Sequence, residues 1–512
     1  MNATYPLGIQ TFEEVIKRNH IYIDKTKEIS SLLSKKYYFY SRPRRFGKSL
    51  MLSTIRAIYE GKEELFKGLW IEDKWDWSKK HPVIHLSFSS INYQNKPLEK
   101  AIAETLAKIA SEYGIELQGE FAKDRFKELI IALTEKEGKV VLLIDEYDKP
   151  IIDYLSKVKV AQENRATLKT FYSVIKDCDP YIEFLIITGV SKFSKVSIFS
   201  ELNNLTDITF HRRYATLTGI TQQEVEDNFK EEIVRIAEER EIEPDILKQQ
   251  IKRWYNGYSW DGKHFLYNPY SLLSFFDFEE FRNFWFETGT PTFLLEIMRQ
   301  QEMVEVDNLE VDNTIFSSYN IEKLESIPIL FQTGYLTIKA KKDYDIYVLD
   351  YPNLEVRDSM LRSLIGEFTH GQTAFSRPMI VQVKEVLENK KLEELIRLLK
   401  SIFKNIPNQL FQAKSEFYYH SLIYLVFFYL GDFMESEVNT NNGRLDAVVK
   451  TKDYIYVLEF KLDRSAAVAL AQIKEKGYAE KYYGDQREKI LIGINFSSET
   501  KTVEDWEYEI LA

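Results

Sequence analysis

The sequence predicts an α/β protein in which two separate sheets are joined by a mainly helical middle region. Three stretches of the chain carry this prediction. Residues 36–60 read as an aromatic strand, a loop that ends in Gly-Lys-Ser, and an amphipathic helix. Residues 139–150 form an apolar run that ends in two carboxylates. Residues 433–449 form two short strand patterns around an Asn-Gly turn, a dipeptide that favours β-hairpins.

The bulk composition restricts the classes of protein to which the chain can belong. At 512 residues it is too long for one ordinary core, so two to four domains are expected. The single cysteine, Cys178, excludes a disulfide framework and a cysteine-based zinc site. A formal charge of −11 argues against bulk attraction to nucleic acid. Binding to nucleic acid must therefore use local basic patches, such as the one at residues 42–48.

The first stretch has the layout of a phosphate-binding loop. Loop amides and a helix N-terminus supply partial positive charge, the lysine reaches the outer phosphates, and the serine binds Mg²⁺. Arg42 stands where the generic pattern has glycine, and a Gly-Lys-Ser tripeptide alone could mark a structural turn. The flanking strand and helix favour nucleotide binding. The predicted nucleotide-binding residues of this loop are Arg45, Phe46, Gly47, Lys48, Ser49 and Leu50.

The second stretch, KVVLLIDEYDKP, predicts a buried parallel strand with carboxylates at its C-terminal tip, where open α/β sheets present ligands. We expect Asp145 to hold Mg²⁺ together with Ser49, and Glu146 to polarise the attacking water. The alternative is an ordinary buried strand that meets a polar loop. The phosphate loop about a hundred residues upstream favours the catalytic interpretation.

Two further strand patterns complete the first sheet. Residues 83–90 lie between the two phosphate motifs, and residues 182–190 follow the second. This order is typical of the additional-strand class of P-loop NTPases, in which a glutamate performs hydrolysis. Thr188 or Ser191 then becomes a candidate sensor of the γ-phosphate, with Thr188 placed among the nucleotide-binding residues. Arg212 and Arg213 are candidates for a charge-stabilising finger, although surface arginines are the commoner explanation.

The middle region offers no recognisable chemistry. Helical patterns dominate residues 220–290, and a hairpin-like pair of strands follows at residues 334–352. The most apolar run of the chain, residues 422–430, is about half the length that spans a bilayer. The N-terminus lacks the pattern of a signal peptide. We therefore expect a cytoplasmic protein without a membrane partner.

The last part of the chain reads as one unit with the element order αβββαβ. It comprises a helix at 412–430, three strands at 433–439, 444–449 and 454–462, a helix at about 465–483 and a strand at 489–496. Residues two apart on a strand share a face, so Glu459 and Lys461 point together, with Asp446 on the neighbouring strand. Two carboxylates suit a divalent cation, and a nearby lysine can stabilise a phosphate.

The alternative explanation of this E-x-K triplet is a surface ion pair without a catalytic role. The apolar flanks of YIYVLEFKL weaken it, because charge in a buried strand is costly without a function. We therefore predict catalytic roles for Asp446, Glu459 and Lys461, and a metal bound by Asp446, Glu459 and Glu416. Weaker candidates lie on the flanking helices, where polar residues are usually only solvated, and these are His420, Gln472 and Lys476.

Six motifs together resemble one prokaryotic family: SRPRRFGKS, LLIDEYDKP, ITGVSKFSK, FQTGYL, YPNLEVRDS and GRLDAVV…VLEFKLD. Its members pair an AAA-like ATPase domain with a C-terminal nuclease-like domain of the PD-(D/E)xK superfamily. In that family an arginine-rich loop replaces the glycine, which accommodates Arg42. Leu445 stands where the motif name has proline. The resemblance implies an ATPase domain and a nuclease-like domain. Together with the residue patterns it leads us to expect an AAA-like ATPase domain at 1–215, a helical lid and winged-helix-like connecting region at 216–385, and a restriction-endonuclease-like domain at 386–512.

The sequence thus predicts a Mg²⁺-ATP-dependent P-loop ATPase fused to a metal-dependent nuclease that acts on DNA in defence or mobile-element biology. ATP and Mg²⁺ are the expected cofactors, with Mn²⁺ as an alternative at the nuclease site. DNA is the expected partner, and homo-oligomerisation is left open. Two alternatives remain: a nucleotide-switched scaffold whose nuclease domain binds DNA or protein without cutting, and an ATPase that remodels proteins. Net acidity mildly favours these alternatives.

Overall fold

The computed structural model of the protein describes residues 4–191, 198–199, 202, 204–286, 294–295, 297–298, 301, 306–316, 325–368, 377–404, 416–431, 435–441, 444–500 and 502–511. For residues 367–368, 377, 404, 416–420, 435–441 and 444–446 it describes the backbone alone. The chain divides into two compact units, Met1–Ile297 with Val306–Val356, and Met298–Glu305 with Arg357–Ala512. The domain limits given above, at residues 215 and 385, stay predictions.

The first unit is built on a five-stranded parallel sheet with the strand order β2-β3-β4-β1-β5. Its strands are β1 (Tyr37–Ser41), β2 (Val83–Ser87), β3 (Val140–Asp145), β4 (Ile182–Gly189) and β5 (Thr206–Asp207). Strand β4 lies between β1, which precedes the phosphate loop, and β3, which ends in Asp145. The additional-strand prediction is therefore confirmed. All residues of β1 and β3 are buried. A parallel sheet covered on both faces produces such continuous apolar runs.

Helices cover both faces of this sheet. They are α1 (Phe12–Lys17), α2 (Thr26–Ser30), α3 (Lys48–Tyr59), α4 (Leu98–Glu112), α5 (Ala122–Glu137), α6 (Lys149–Ile152) and α7 (Val158–Asp177). Alternate residues of each strand enter opposite cores, as the period of two requires. Phe39 and Leu142 pack in one core, and Tyr38 and Leu143 pack in the other. Helices α4 and α5 agree with the helical patterns that the sequence shows at about residues 97–112 and 122–136.

The remainder of the first unit contains helices and two small sheets. The helices are α8 (Gln222–Asn228), α9 (Lys230–Glu239), α10 (Pro244–Tyr255), α11 (Pro269–Phe278) and α12 (Ser326–Thr333). The strands are β6 (Asn256–Tyr258), β7 (Leu266–Tyr267), β8 (Leu309–Asp312), β9 (Thr337–Lys341) and β10 (Ile346–Asp350). The predicted hairpin is the antiparallel pair β9–β10. Strand β8 was not predicted, because the apolar/polar alternation of its sequence LEVD is only four residues long.

The second unit contains one mixed sheet with the order β11-β12-β13-β14-β15. Its strands are β11 (Glu435–Asn441), β12 (Arg444–Lys450), β13 (Tyr454–Leu462), β14 (Glu488–Ser497) and β15 (Thr502–Leu511). Its helices are α13 (Leu354–Phe368), α14 (Arg377–Glu388), α15 (Leu392–Lys404), α16 (Glu416–Leu430) and α17 (Ala466–Glu475). Strands β13 and β14 are parallel, and the other neighbours are antiparallel. The order αβββαβ is confirmed from α16 to β14. Among the described helices, none combines the length and apolar character of a membrane span.

Two details of this unit differ from the prediction. The helix expected at about 465–483 ends at Glu475, because Gly477 adopts a φ of 63° and stops it. Strand β15 was not predicted. Its sequence TVEDWEYEIL carries many acidic residues, which are depleted in strands, and pairing with β14 overrides that propensity.

Two helices outside the αβββαβ core pack on its sheet, which leads to a prediction about fragments. The Phe403 ring of α15 packs at a tilt against the Phe496 ring of β14, with the ring centroids 4.7 Å apart. The Tyr456 hydroxyl donates to the Leu387 carbonyl of α14 at 2.6 Å. Each large apolar side chain exposed by truncation costs about 1.5–3 kcal/mol. We expect a fragment of residues 357–512 to melt at a clearly higher temperature than residues 405–512, measured by circular dichroism. Equal melting temperatures would show that α14 and α15 are dispensable.

Candidate functional site

The loop between β1 and α3 has the backbone geometry of an anion-binding turn. Gly47 adopts a φ of 84°, a left-handed conformation that glycine takes without strain, and it is the N-cap of α3. Lys48 and Ser49 therefore occupy the first turn of the helix, where backbone N–H groups lack helical partners. The positive end of the helix dipole lies at the same place. The predicted strand, loop and helix are all present.

The Lys48 side chain is folded into the base of this loop. Its Nζ donates to the carbonyl oxygens of Arg42 and Pro43, both at 2.8 Å. Burial lowers the pKa of Lys48, while the negative charges of Asp145 and Glu146 oppose that shift. The loop therefore holds a cation beside the acidic tip of β3.

Asp145 links the phosphate loop to the neighbouring strand. Ser49 Oγ donates to Asp145 Oδ2 at 2.6 Å, and Thr188 Oγ1 donates to Asp145 Oδ1 at 2.6 Å. The Asp145 carboxylate is buried, and both of its oxygens are oriented by these hydroxyl groups. The structure thus brings together the two predicted Mg²⁺ ligands and one of the two predicted sensors.

The residues after Asp145 have two different environments. Glu146 is half-buried with a φ of 54°, and burial raises its pKa. Asp148 is buried and accepts hydrogen bonds from the backbone N–H groups of Val190 and Ser191 and from Ser191 Oγ at 2.6 Å. Ser191 therefore binds Asp148, whereas Thr188 binds the predicted metal ligand. This difference favours Thr188 as the sensor.

A cavity of about 370 Å³ opens beside the loop. Residues 45–50 and Glu146 border it, as does Arg44. Residues 6–10, Pro269 and Tyr270 also border it, and none of these was predicted, because no polar motif marks them. The Arg45 guanidinium lies 4.7 Å from the centre of the Tyr270 ring.

Phe46 borders the cavity although its ring packs in the protein interior, and the two candidate finger arginines lie outside the lining of the cavity. The Phe46 ring is fully buried and packs edge-on against Tyr258 and Trp260 at 5.0 and 5.2 Å. Arg212 and Arg213 are exposed and are not among the residues that line the cavity. Within this chain they contribute nothing to the described site.

A second constellation lies in the sheet of the second unit. Glu459 is fully buried in β13, and Lys461 is almost fully buried two residues later. Lys461 Nζ lies 2.5 Å from Glu459 Oε1, and Gln472 Nε2 of α17 donates to the same oxygen at 2.7 Å. The structure therefore brings together three of the predicted residues in an apolar setting.

The other predicted nuclease residues are described less fully. Asp446 is the register partner of Glu459 across the β12–β13 pair, and its side chain lies outside the described residues. Glu416 begins α16, and the side chains of Glu416 and His420 also lie outside the described residues. Lys476 is exposed at the C-terminal end of α17. Within the described part of the chain, no three His, Cys, Asp or Glu residues are grouped to hold a metal.

Comparisons with known proteins agree with this division. A family model described as "Predicted AAA-ATPase" matches residues 6–199, and one described as "PD-(D/E)XK nuclease superfamily" matches residues 414–506. The chain is 37% identical over 521 residues to the "Uncharacterized protein in vnfD 5'region" of Azotobacter chroococcum mcd 1, and the match covers 99% of both chains. The two matched domains suggest ATPase and nuclease activity.

Proposed function

The chain belongs to the AAA-ATPase-like family that carries a C-terminal PD-(D/E)XK nuclease superfamily domain, and on this premise we propose that it hydrolyses Mg²⁺-ATP and cuts DNA with a divalent metal ion. One observation carries the ATPase part: Asp145 is held between Ser49 and Thr188 beside the buried Lys48. The cytoplasmic location, oligomerisation and a role in defence or mobile-element biology remain predictions.

The cavity beside the loop suits a nucleoside triphosphate. The N-terminus of α3 and the side chains of Arg44, Arg45 and Lys48 supply positive charge for the phosphates. Residues 6–10 and Pro269 provide a less polar wall for the base. On binding, Lys48 would exchange the loop carbonyls for phosphate oxygens, which are stronger, charged acceptors.

The donors at the tip of β3 fit a magnesium ion. Ser49 and Asp145 offer oxygen ligands 2.6 Å apart, the type that Mg²⁺ prefers. The ion would neutralise phosphate charge. Glu146, bordering the same cavity, would orient the attacking water and accept its proton, for which a raised pKa is suitable. Thr188 would hold Asp145 in the orientation that metal binding requires.

Two hydroxyl variants test the assignment of the sensor. Thr188→Val keeps the shape of the side chain and removes its bond to Asp145, so we expect kcat for ATP hydrolysis to fall by about tenfold or more. We expect the Kd for ATP to change little, because Lys48 and the loop are intact. Ser191→Ala is the matched control, and its kcat should stay near the wild-type value. Equal losses in the two variants would contradict the assignment.

The second constellation fits a metal-dependent nuclease. Asp446 and Glu459 stand at paired positions of adjacent strands and would hold a divalent ion, which supplies Lewis-acid activation. Lys461 would stabilise the negative charge that develops on the phosphate. Gln472 orients the Glu459 carboxylate through its hydrogen bond. Glu416 is proposed as a further acid, because α16, which it begins, packs against the hairpin strands β11 and β12.

The proposed ATPase activity is tested by phosphate release from ATP in the presence of Mg²⁺ and after chelation with EDTA. We expect ATP turnover that requires the metal ion, and added DNA should not substitute for the metal ion. A purified, folded protein that fails to bind or hydrolyse ATP would contradict the first half of the proposal. The proposed nuclease activity is tested separately, by DNA cleavage with the wild type and Glu459→Gln.

A further inference from the structure

Arg42 occupies a position that no nucleotide could reach directly. Its side chain is completely buried, and Nη1 donates to the carbonyl oxygens of Ser41 and Thr209 at 2.8 and 2.9 Å. Nε and Nη2 have no hydrogen-bond partner among the described residues. The guanidinium instead lies between two aromatic rings, 3.9 Å from the centre of Trp260 and 4.5 Å from that of Tyr40.

Burial of a guanidinium is unfavourable, and burial lowers the pKa of Arg42. The contact with the aromatic rings offsets part of this cost. Attraction between a cation and an aromatic face is strongest when both are removed from water, and tryptophan is the best aromatic partner. Trp260 is almost fully buried itself. The Trp260 ring therefore takes the place of the water that would otherwise surround the Arg42 cation.

The segment of residues 256–260, which contains Trp260, contacts the phosphate loop at a second point. Phe46, next to Gly47, packs edge-on against Trp260 and Tyr258. The segment is itself fixed: Ser259 N donates to Thr337 Oγ1 at 2.7 Å, and Thr337 Oγ1 donates to the Ser259 carbonyl at 2.9 Å. Both ends of the phosphate loop thus contact a hydrogen-bonded segment more than two hundred residues later in the chain.

Other parts of the first unit reinforce this attachment. Trp285 Nε1 donates to the Arg44 carbonyl at 3.2 Å. Gly334 packs so closely on Pro43 that a Cβ atom at this position would lie 2.7 Å from the proline ring. The carbonyls of Arg42 and Pro43 are the ones that hold Lys48. Movement of the loop would therefore displace the lysine that reaches the phosphates.

We propose that Arg42 and Trp260 are positioning residues for ATP binding: Trp260 anchors the Arg42 guanidinium, and Arg42 fixes the phosphate loop in the shape that presents Lys48. The inference rests on the proposed binding of ATP at this loop. Trp260 does not line the nucleotide cavity, so its effect on ATP reaches the ligand only through the loop. The segment around residues 256–260 consequently responds when the loop binds a nucleotide.

Variants of Trp260 in the full-length protein test this proposal. Trp260→Leu removes the aromatic face, and we expect the Kd for a fluorescent ATP analogue to rise by about tenfold or more. Trp260→Phe keeps an aromatic ring and should largely restore affinity. At saturating ATP, kcat should remain near the wild-type value in both variants, because Asp145 and Glu146 are untouched. A general loss of folding would not separate Kd from kcat in this way.

Trp254→Leu is the matched control. Trp254 lies in the same region of the chain, stacks on Phe281 at 5.5 Å and is not among the residues that line the cavity. We expect this variant to bind the analogue like the wild type. If wild-type protein binds ATP and folded Trp260→Leu binds it equally well, the positioning role is wrong while the proposed ATPase stands. If the wild type itself does not bind ATP, the proposed function fails first.

A second measurement needs no Trp260 variant. Hydrogen exchange of the wild-type protein, with and without the analogue, reports local opening of each segment. We expect the nucleotide to slow exchange in peptides that cover residues 256–262 and 334–338, and we expect no such change in Lys48→Ala. Protection confined to the segments that line the cavity would overturn the proposal, even if Trp260→Leu failed to fold.

Discussion

Lys48→Ala is expected to abolish measurable ATP binding, whereas Glu146→Gln is expected to bind ATP normally and lose turnover. The lysine supplies the buried cation at the start of α3, and an alanine leaves the outer phosphates without this charge. The glutamine keeps the size of Glu146 and cannot accept a proton from water. Binding of a fluorescent ATP analogue and release of phosphate measure the two effects separately.

Lys67→Ala is a suitable control, because Lys67 is an exposed lysine in the same part of the first unit. Its binding and turnover should match those of the wild type. If Lys48→Ala bound ATP as tightly as the wild type, the loop at residues 42–49 would not be the nucleotide site. If Glu146→Gln kept its kcat, the water-orienting role would belong to another residue.

Removal of Glu459 is expected to have the largest effect on DNA cleavage. Glu459→Gln keeps the shape of the side chain and one acceptor oxygen for Lys461 and Gln472, while it replaces the other oxygen by an NH₂ donor and removes the charge that a divalent ion requires. We expect cleavage to fall by about two to three orders of magnitude, comparable with the loss of a key charge-stabilising group. Mn²⁺ binding, measured by calorimetry, should weaken in parallel. ATP hydrolysis should persist, because the phosphate loop belongs to the first unit.

Two further variants sharpen this prediction. Glu475→Gln removes an exposed carboxylate at the end of α17 and should leave cleavage unchanged. The double variant Asp446→Ala, Glu459→Ala should lose both metal binding and cleavage. Glu459→Gln and Lys461→Met each break the buried Glu459–Lys461 ion pair, which destabilises proteins by about 3–5 kcal/mol, so the fold of each variant is checked by circular dichroism before cleavage is compared. Undiminished Mn²⁺ binding and cleavage in the double variant would refute the site.

The sequence predicted those features whose signal is local. Apolar runs marked β1, β3 and β4, and residues of opposite charge two apart on β13 marked the Glu459–Lys461 pair. Likewise, the proximity of Ser49 and Asp145 followed from two motifs that meet at one edge of a parallel sheet.

What the sequence could not predict depends on contacts between distant segments. Arg42 departs from the glycine pattern, and its contact with Trp260, which is far away in the chain, has no signal in the sequence. The N-terminal wall of the nucleotide cavity has no motif of its own. Strand β15 forms because β14 offers an unpaired edge, a property of the sheet and not of the strand's own residues.

The central claim, an ATPase and a metal-dependent nuclease in one chain, is tested most directly by cleavage of plasmid and single-stranded DNA by the full-length protein. The reactions contain Mg²⁺ or Mn²⁺, with and without ATP, and the wild type is compared with Glu459→Gln. We predict cleavage by the wild type that disappears with EDTA and in Glu459→Gln, while this variant still hydrolyses ATP. Absence of cleavage by folded wild-type protein under every condition, or equal cleavage by Glu459→Gln, would contradict the account, and the former would favour a nucleotide-switched scaffold.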